Sequence, residues 1–155
     1  MWGADGQYRL NKANVVCLGI SAAGTETLKN LVLPGVGFIR IVSAENVTQR
    51  TLSANFFVDP EDVGTNIAVS VLKNLLELNP DVKGEAISQN PVQFFEDQSQ
   101  EGVAGVLKSA TLVICDNLDY VRSYSFRNSA LRSMISVLKT ISSLSWSKIS
   151  AILHT

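Results

Sequence analysis

Histidine, cysteine and proline are scarce: one His, two Cys and four Pro in 155 residues. The lone His154 and two distant Cys give neither tetrahedral metal spacing nor a Ser–His–Asp arrangement. Charge is also sparse. Only 17% of residues are charged, and 13 basic against 14 acidic side chains leave a net charge of -1. Such a balance offers no overall attraction for a phosphate backbone or an anionic membrane. No apolar run reaches the roughly 18 residues of a membrane helix, because Pro34, Gly35 and Gly37 break the longest one. The opening, Met1 to Gly6, has neither the basic flank nor the apolar stretch of a signal peptide. Cys17 and Cys115 each sit inside an apolar run, which predicts two buried, reduced thiols. With no targeting signal, that points to the cytoplasm.

What the chain does have is hydrophobic patterning. Apolar residues make up 46%, and a chain of this length buries about 68–70% of its unfolded surface as one domain. Residues 14–20 form a β-branched run and read as a buried strand. Ser21 to Gly24 make a small-residue turn, and a helix is predicted from Thr25, its cap, to Leu33. Residues 37–42 read as a second strand, which completes a βαβ unit and implies a parallel sheet. Residues 44–61 read mostly as loop. Asp62 is the predicted cap of a long helix to Leu78, with Val63, Ile67, Val71, Leu72, Leu75 and Leu76 at helical spacing. Val82–Ser88 and Thr111–Cys115 are further strands, Phe94 and Phe95 lie on a short segment, and a helix is predicted from Asp119 to Arg132. Alternating strands and helices predict an α/β fold with a mainly parallel sheet. From Ser133 the chain is Ser-rich, with Met134, Leu138, Ile141 and Leu144 at helical spacing.

The turn Gly19-Ile20-Ser21-Ala22-Ala23-Gly24 is close to the Gly-x-Gly-x-x-Gly loop of nucleotide-binding βαβ units. The first and third glycines are present. Ser21 stands where the second would let a phosphate approach, so the turn reads either as a weakened nucleotide loop or as small residues kept for packing. An acid that holds ribose hydroxyls is expected about 20 residues further on, at the end of the second strand. Ser43 is found there instead, and Glu45 is either a displaced substitute or a solvated loop charge.

That turn, together with Leu28-Lys29-Asn30-Leu31-Val32-Leu33-Pro34-Gly35-Val36-Gly37, resembles the adenylation domain of the enzymes that activate ubiquitin-like modifiers. Trp2, Gly3 and Gly6, the runs Asn55-Phe56-Phe57 and Val63-Gly64-Thr65-Asn66, and residues 75–82 support the resemblance. It covers about residues 2–132 and implies a Rossmann-like three-layer domain over 1–132, with a divergent tail over 133–155. Within the family, the sequence is nearer the regulatory subunits that serve neddylation than those that serve sumoylation.

Active members of this family adenylate a modifier's C-terminal carboxylate with ATP and magnesium. Carried over by position, the ribose-binding Asp falls on Ser43, the phosphate-binding Asn-x-x-Arg near Thr51 and Ala54, and the phosphate-binding Lys on Ile67. Phosphoryl chemistry rests on positioning and charge, and each lost contact costs roughly 2–4 kcal/mol. The resemblance therefore implies an inactive half without catalytic residues or metal ligands. Gly19, Ser21, Gly24 and Ser43 would form a degenerate nucleotide loop, with ATP and magnesium bound by the partner subunit. The implied partners are the catalytic subunit, in a heterodimer, and the ubiquitin-like modifier. The alternatives are the regulatory subunit for sumoylation and a nucleotide-binding enzyme of the same fold. Family members work in the nucleus as well as the cytoplasm.

Some residues stay open. Asp116-Asn117 resembles the family's magnesium-binding Asp, or caps a helix after a strand. Phe56 and Phe57 are a partner contact or core packing. Arg122, Arg127 and Arg132 read as a solvated face, and Arg9 as a surface charge. The basic segment that precedes Trp-Gly in the family is expected to be missing. The Ser-rich tail departs from the family; a truncated or mis-spliced gene model is its expected source, and a divergent short protein is the alternative.

Overall fold

β-branched and aliphatic residues at Asn14–Leu18 form the central strand, β1, which follows a short helix, α1, at Ala4–Asn11. The computed structural model describes residues 3–97, 105–107 and 109–116. After β1 come α2 (Ala22–Val32), β2 (Phe38–Val42), α3 (Gln49–Ala54), a 3-10 turn (Pro60–Asp62), α4 (Ile67–Glu77), β3 (Lys83–Ile87), α5 (Pro91–Glu96) and β4 (Leu112–Cys115). These elements belong to one packed unit, Met1–Leu118. The helix expected at Asp119–Arg132, the row Arg122, Arg127 and Arg132, and the 133–155 tail lie outside the described residues.

The four strands pair in the order β3-β2-β1-β4, all in parallel. Register follows from burial. Val15 lies opposite Ile39 and Cys17 opposite Ile41 and Ile114, so these apolar residues share one face of the sheet. That face packs against Leu28 and Val32 of α2 and Val71, Leu72 and Leu75 of α4. Val16, Leu18 and Val42 alternate onto the other face and are buried too, which explains why these strands read as continuous apolar runs. Gly84 lets α4 approach: a Cβ there would lie 2.6 Å from Leu72 Cδ1.

The α/β class and the parallel sheet are as expected, and each strand lies within its predicted run. The helix starts differ. α2 is capped by Ser21, whose Oγ accepts from Gly24 N at 3.4 Å, and not by Thr25, which is buried inside the helix. α4 is capped by Asn66, whose Oδ1 accepts from Ala68 N at 3.0 Å. Asp62 is occupied elsewhere: its carboxylate accepts from Asp59 N at 2.9 Å and closes the 3-10 turn. The expected loop at 44–61 contains α3, capped by Thr48, and this turn. Short helices escape a periodicity reading because six residues scarcely complete two turns.

Candidate functional site

β1 ends in a tight turn at Gly19, whose φ of 81° lies in the left-handed region that glycine adopts freely. Gly19 N donates to Val42 O at 2.8 Å, which ties the turn to the end of β2. Ser21 then opens α2, and Thr25 Oγ1 donates to Ser21 O at 2.8 Å. On the far side, β4 continues the β1 pairing to Cys115 opposite Leu18, and Asp116 N donates to Leu18 O at 2.9 Å. The chain leaves β1 for β2 on one side while β4 lies on the other. The crevice between β1 and β4 is thus the topological switch point, where open α/β sheets bind ligands. The Asp116 side chain enters that crevice, and its Oδ2 accepts from Ser21 N at 2.7 Å.

Beside the turn lies a cleft of about 590 Å³. Ser21 and Ala22 border it from α2, Arg50, Thr51 and Ala54 from α3, and Ile67 from the start of α4, with Glu45 also on its rim. Asn55 shapes the wall. Its buried amide donates to Thr25 Oγ1 at 3.0 Å, while its Oδ1 accepts from Phe57 N at 3.0 Å.

Of the expected loop residues, Gly19, Ser21 and Gly24 come together at the β1–α2 turn. Of these only Ser21 lines the cleft, and Ser43 does not. It is buried, its Oγ accepts from Glu45 N at 3.2 Å, and its carbonyl accepts from Asn66 Nδ2 at 2.8 Å. Thr51, Ala54 and Ile67 line the cleft and carry no charge. Arg50 was missed by the sequence reading. Asn46 and Arg50 both line the cleft, one residue further apart than the Asn-x-x-Arg spacing sought, and recognising α3 from its Thr48 cap would have placed Arg50 there.

The ligand the resemblance implies is ATP with magnesium, and the residues do not fit it. The ribose position holds a buried serine whose Oγ accepts from the backbone of Glu45, and the lysine position holds Ile67. Among the described residues no His, Cys, Asp and Glu cluster could hold a metal ion. Asp116 lies beside the glycine loop, and the helix expected after it lies outside the described residues.

The two thiols are not alike. Cys17 is buried, and its Sγ donates to Gly19 O at 3.1 Å. Burial first, then the Asp116 carboxylate, then the Cys115 thiol push its pKa up to about 12. Cys115 is exposed, contrary to expectation, because it ends a strand that has no second neighbour among the described residues. Phe56 and Phe57 also divide: Phe57 is 6% exposed and packs in the core, whereas Phe56 is 90% exposed. Their rings still meet edge to face at 5.9 Å.

Comparison with known proteins places this geometry. The ThiF family pattern matches residues 1–132. The NEDD8-activating enzyme E1 regulatory subunit of Xenopus laevis is 41% identical over 96 residues, which is 62% of this chain and 18% of that protein. The Arabidopsis thaliana subunit AXR1 is 43% identical over 91 residues, 59% of this chain and 17% of that protein. SUMO-activating enzyme subunit 1 of Dictyostelium discoideum is 31% identical over 135 residues, covering 81% of this chain and 41% of its own length. The chain therefore spans less than a fifth of the NEDD8-related subunits it matches. Among solved structures, E. coli MccB with ATP superposes with a TM-score of 0.55 at 25% identity, over 60% of this chain and 28% of that one. PaaA, at 20% identity and a TM-score of 0.60 over 70% of this chain and 32% of that one, shares the fold.

Proposed function

Because this chain belongs to the ThiF family, we propose that it serves as part of the regulatory, non-catalytic half of an activating enzyme for a ubiquitin-like modifier, the one acting in neddylation. In this reading it binds the catalytic subunit and supports ATP-dependent adenylation of the modifier, while the partner holds ATP and magnesium. The observation that carries the reading is the cleft beside the β1–α2 turn. It lies beside the glycine turn, yet Ser43 is buried with its hydroxyl held by Glu45 N and Ile67 stands at the lysine position. A triphosphate is held by charge and by preorganised donors, and a cleft with Arg50 as its cation gives too few of them. The relatives matched in Xenopus and Arabidopsis are regulatory subunits, which agrees with an inactive half.

The retained strand–turn–helix then serves as scaffold for a partner face. Phe56, almost wholly exposed beside a core aromatic, has the character of an anchor in such a face. Among the described residues no helix is long and apolar enough to cross a membrane. By the same reading the chain works in the cytoplasm and nucleus. The test is capture of the purified chain by purified catalytic subunits of the neddylation and sumoylation enzymes. Retention by the neddylation subunit is expected. Retention by the sumoylation subunit alone would transfer the chain to that branch, and retention by neither would refute the proposal.

A further inference from the structure

Phe56 stands in water between buried neighbours, Asn55 before it and Phe57 and Val58 after it. An apolar ring gains free energy by lying down on the protein surface, so holding it out takes a restraint. We propose that Asn55 is that restraint, a positioning residue that fixes the chain at the end of α3 and keeps Phe56 turned outward before any partner arrives. The inference rests on the reading of Phe56 as an anchor of the partner face.

Three contacts of Asn55 carry it. Its N–H donates to Thr51 O at 2.9 Å and closes α3, and its backbone there turns extended, with φ -116° and ψ 117°. Its Oδ1 accepts from Phe57 N at 3.0 Å, the side-chain bond two residues on that makes an Asx turn around Phe56. Its amide donates to Thr25 Oγ1 at 3.0 Å, and Thr25 Oγ1 donates in turn to Ser21 O at 2.8 Å, so the side chain is anchored through α2 to the glycine turn. From the other side, Asn74 Nδ2 of α4 donates to Phe57 O at 3.2 Å, and the Phe57 ring packs in the core. The chain is pinned on both sides of Phe56. An anchor already held in place loses less freedom on binding, so the restraint favours capture. Asparagine suits the position because one short side chain supplies both the acceptor and the donor.

Hydrogen exchange and fluorescence on the full 155-residue chain test it. In the wild type the Phe57 amide is expected to exchange slowly, and fast exchange would overturn the proposal. With Phe56→Trp as reporter, its emission taken as the difference from the same chain without that substitution, acrylamide is expected to quench the indole readily. Adding Asn55→Ala should lower the quenching constant by at least about twofold, and Asn55→Asp, which keeps the acceptor for Phe57 N, should restore it. A role in stability alone would weaken both variants and leave quenching of the folded chain unchanged. Thr25→Val removes the anchor of the Asn55 amide; with reduced quenching expected, it decides the matter should Asn55→Ala fail to fold. Quenching that no folded variant alters would overturn the proposal. Capture by the neddylation catalytic subunit should weaken by roughly tenfold with Asn55→Ala and lose little more when Phe56→Ala is added. Additive losses would also overturn it. A wild type that is not captured removes the partner reading by itself, while exchange and quenching still decide what Asn55 does to Phe56.

Discussion

Cys17 carries the clearest pH signature at the scale of single residues. Burial, with the Asp116 carboxylate behind it, pushes its thiol from the ordinary 9.0 up to about 12 in the folded chain. Between those values the folded state keeps a proton that the unfolded state has lost, so stability falls as pH rises from about 9 toward 12. The slope is up to about 1.4 kcal/mol per pH unit for this one group. Urea unfolding at pH 8 and pH 11 is expected to show that loss, and Cys17→Val should remove its share. A hydrophilic thiol reagent at pH 8 should modify Cys115 and spare Cys17 in the native chain. The sequence identified both cysteines as members of apolar strands. It could not separate them, because exposure depends on what lies beside and above a strand. The same holds for Phe56 and Phe57: strand and loop patterns admit both aromatics to the core, and only the path of the chain after α3 turns one outward.

Elements show the same division through their caps. Ser21 and Asn66 each cap a helix at a position four residues from the one expected, at Thr25 and Asp62. Several cap-competent side chains lie near each start, and tertiary partners choose among them. Thr25 is held by Asn55, and Asp62 closes its own turn. The two caps should differ in strength. Ser21 Oγ reaches Gly24 N at 3.4 Å, a long bond, so Ser21→Ala is expected to cost at most about 1 kcal/mol. Asn66 caps at 3.0 Å and also donates to Ser43 O at 2.8 Å, so Asn66→Ala is expected to cost about 1–2 kcal/mol. Chemical denaturation of both variants checks the order, and a larger loss for Ser21→Ala would contradict it.

For the molecule as a whole, Phe56 connects fold to assembly. Phe56→Ala removes a ring that is almost entirely in water, so the melting temperature should change little. Capture by the catalytic subunit should weaken by roughly tenfold or more if Phe56 is an anchor of the partner face. Unchanged capture would remove Phe56 from that role. The parallel α/β arrangement was legible from the alternation of apolar runs and helical stripes, because burial on both faces of a strand and on one face of a helix leaves a local period. The location of the turn at Gly19 to Gly24 and the missing charges at Ser43 and Ile67 were legible too, since they are matters of residue type at a known spacing. What only the tertiary structure decided is which polar groups meet. Asp116 reaches Ser21 across 95 positions, and Asn55 reaches Thr25 across 30. Such pairings depend on strand register and on how helices dock against the sheet, and no local pattern in the chain encodes either.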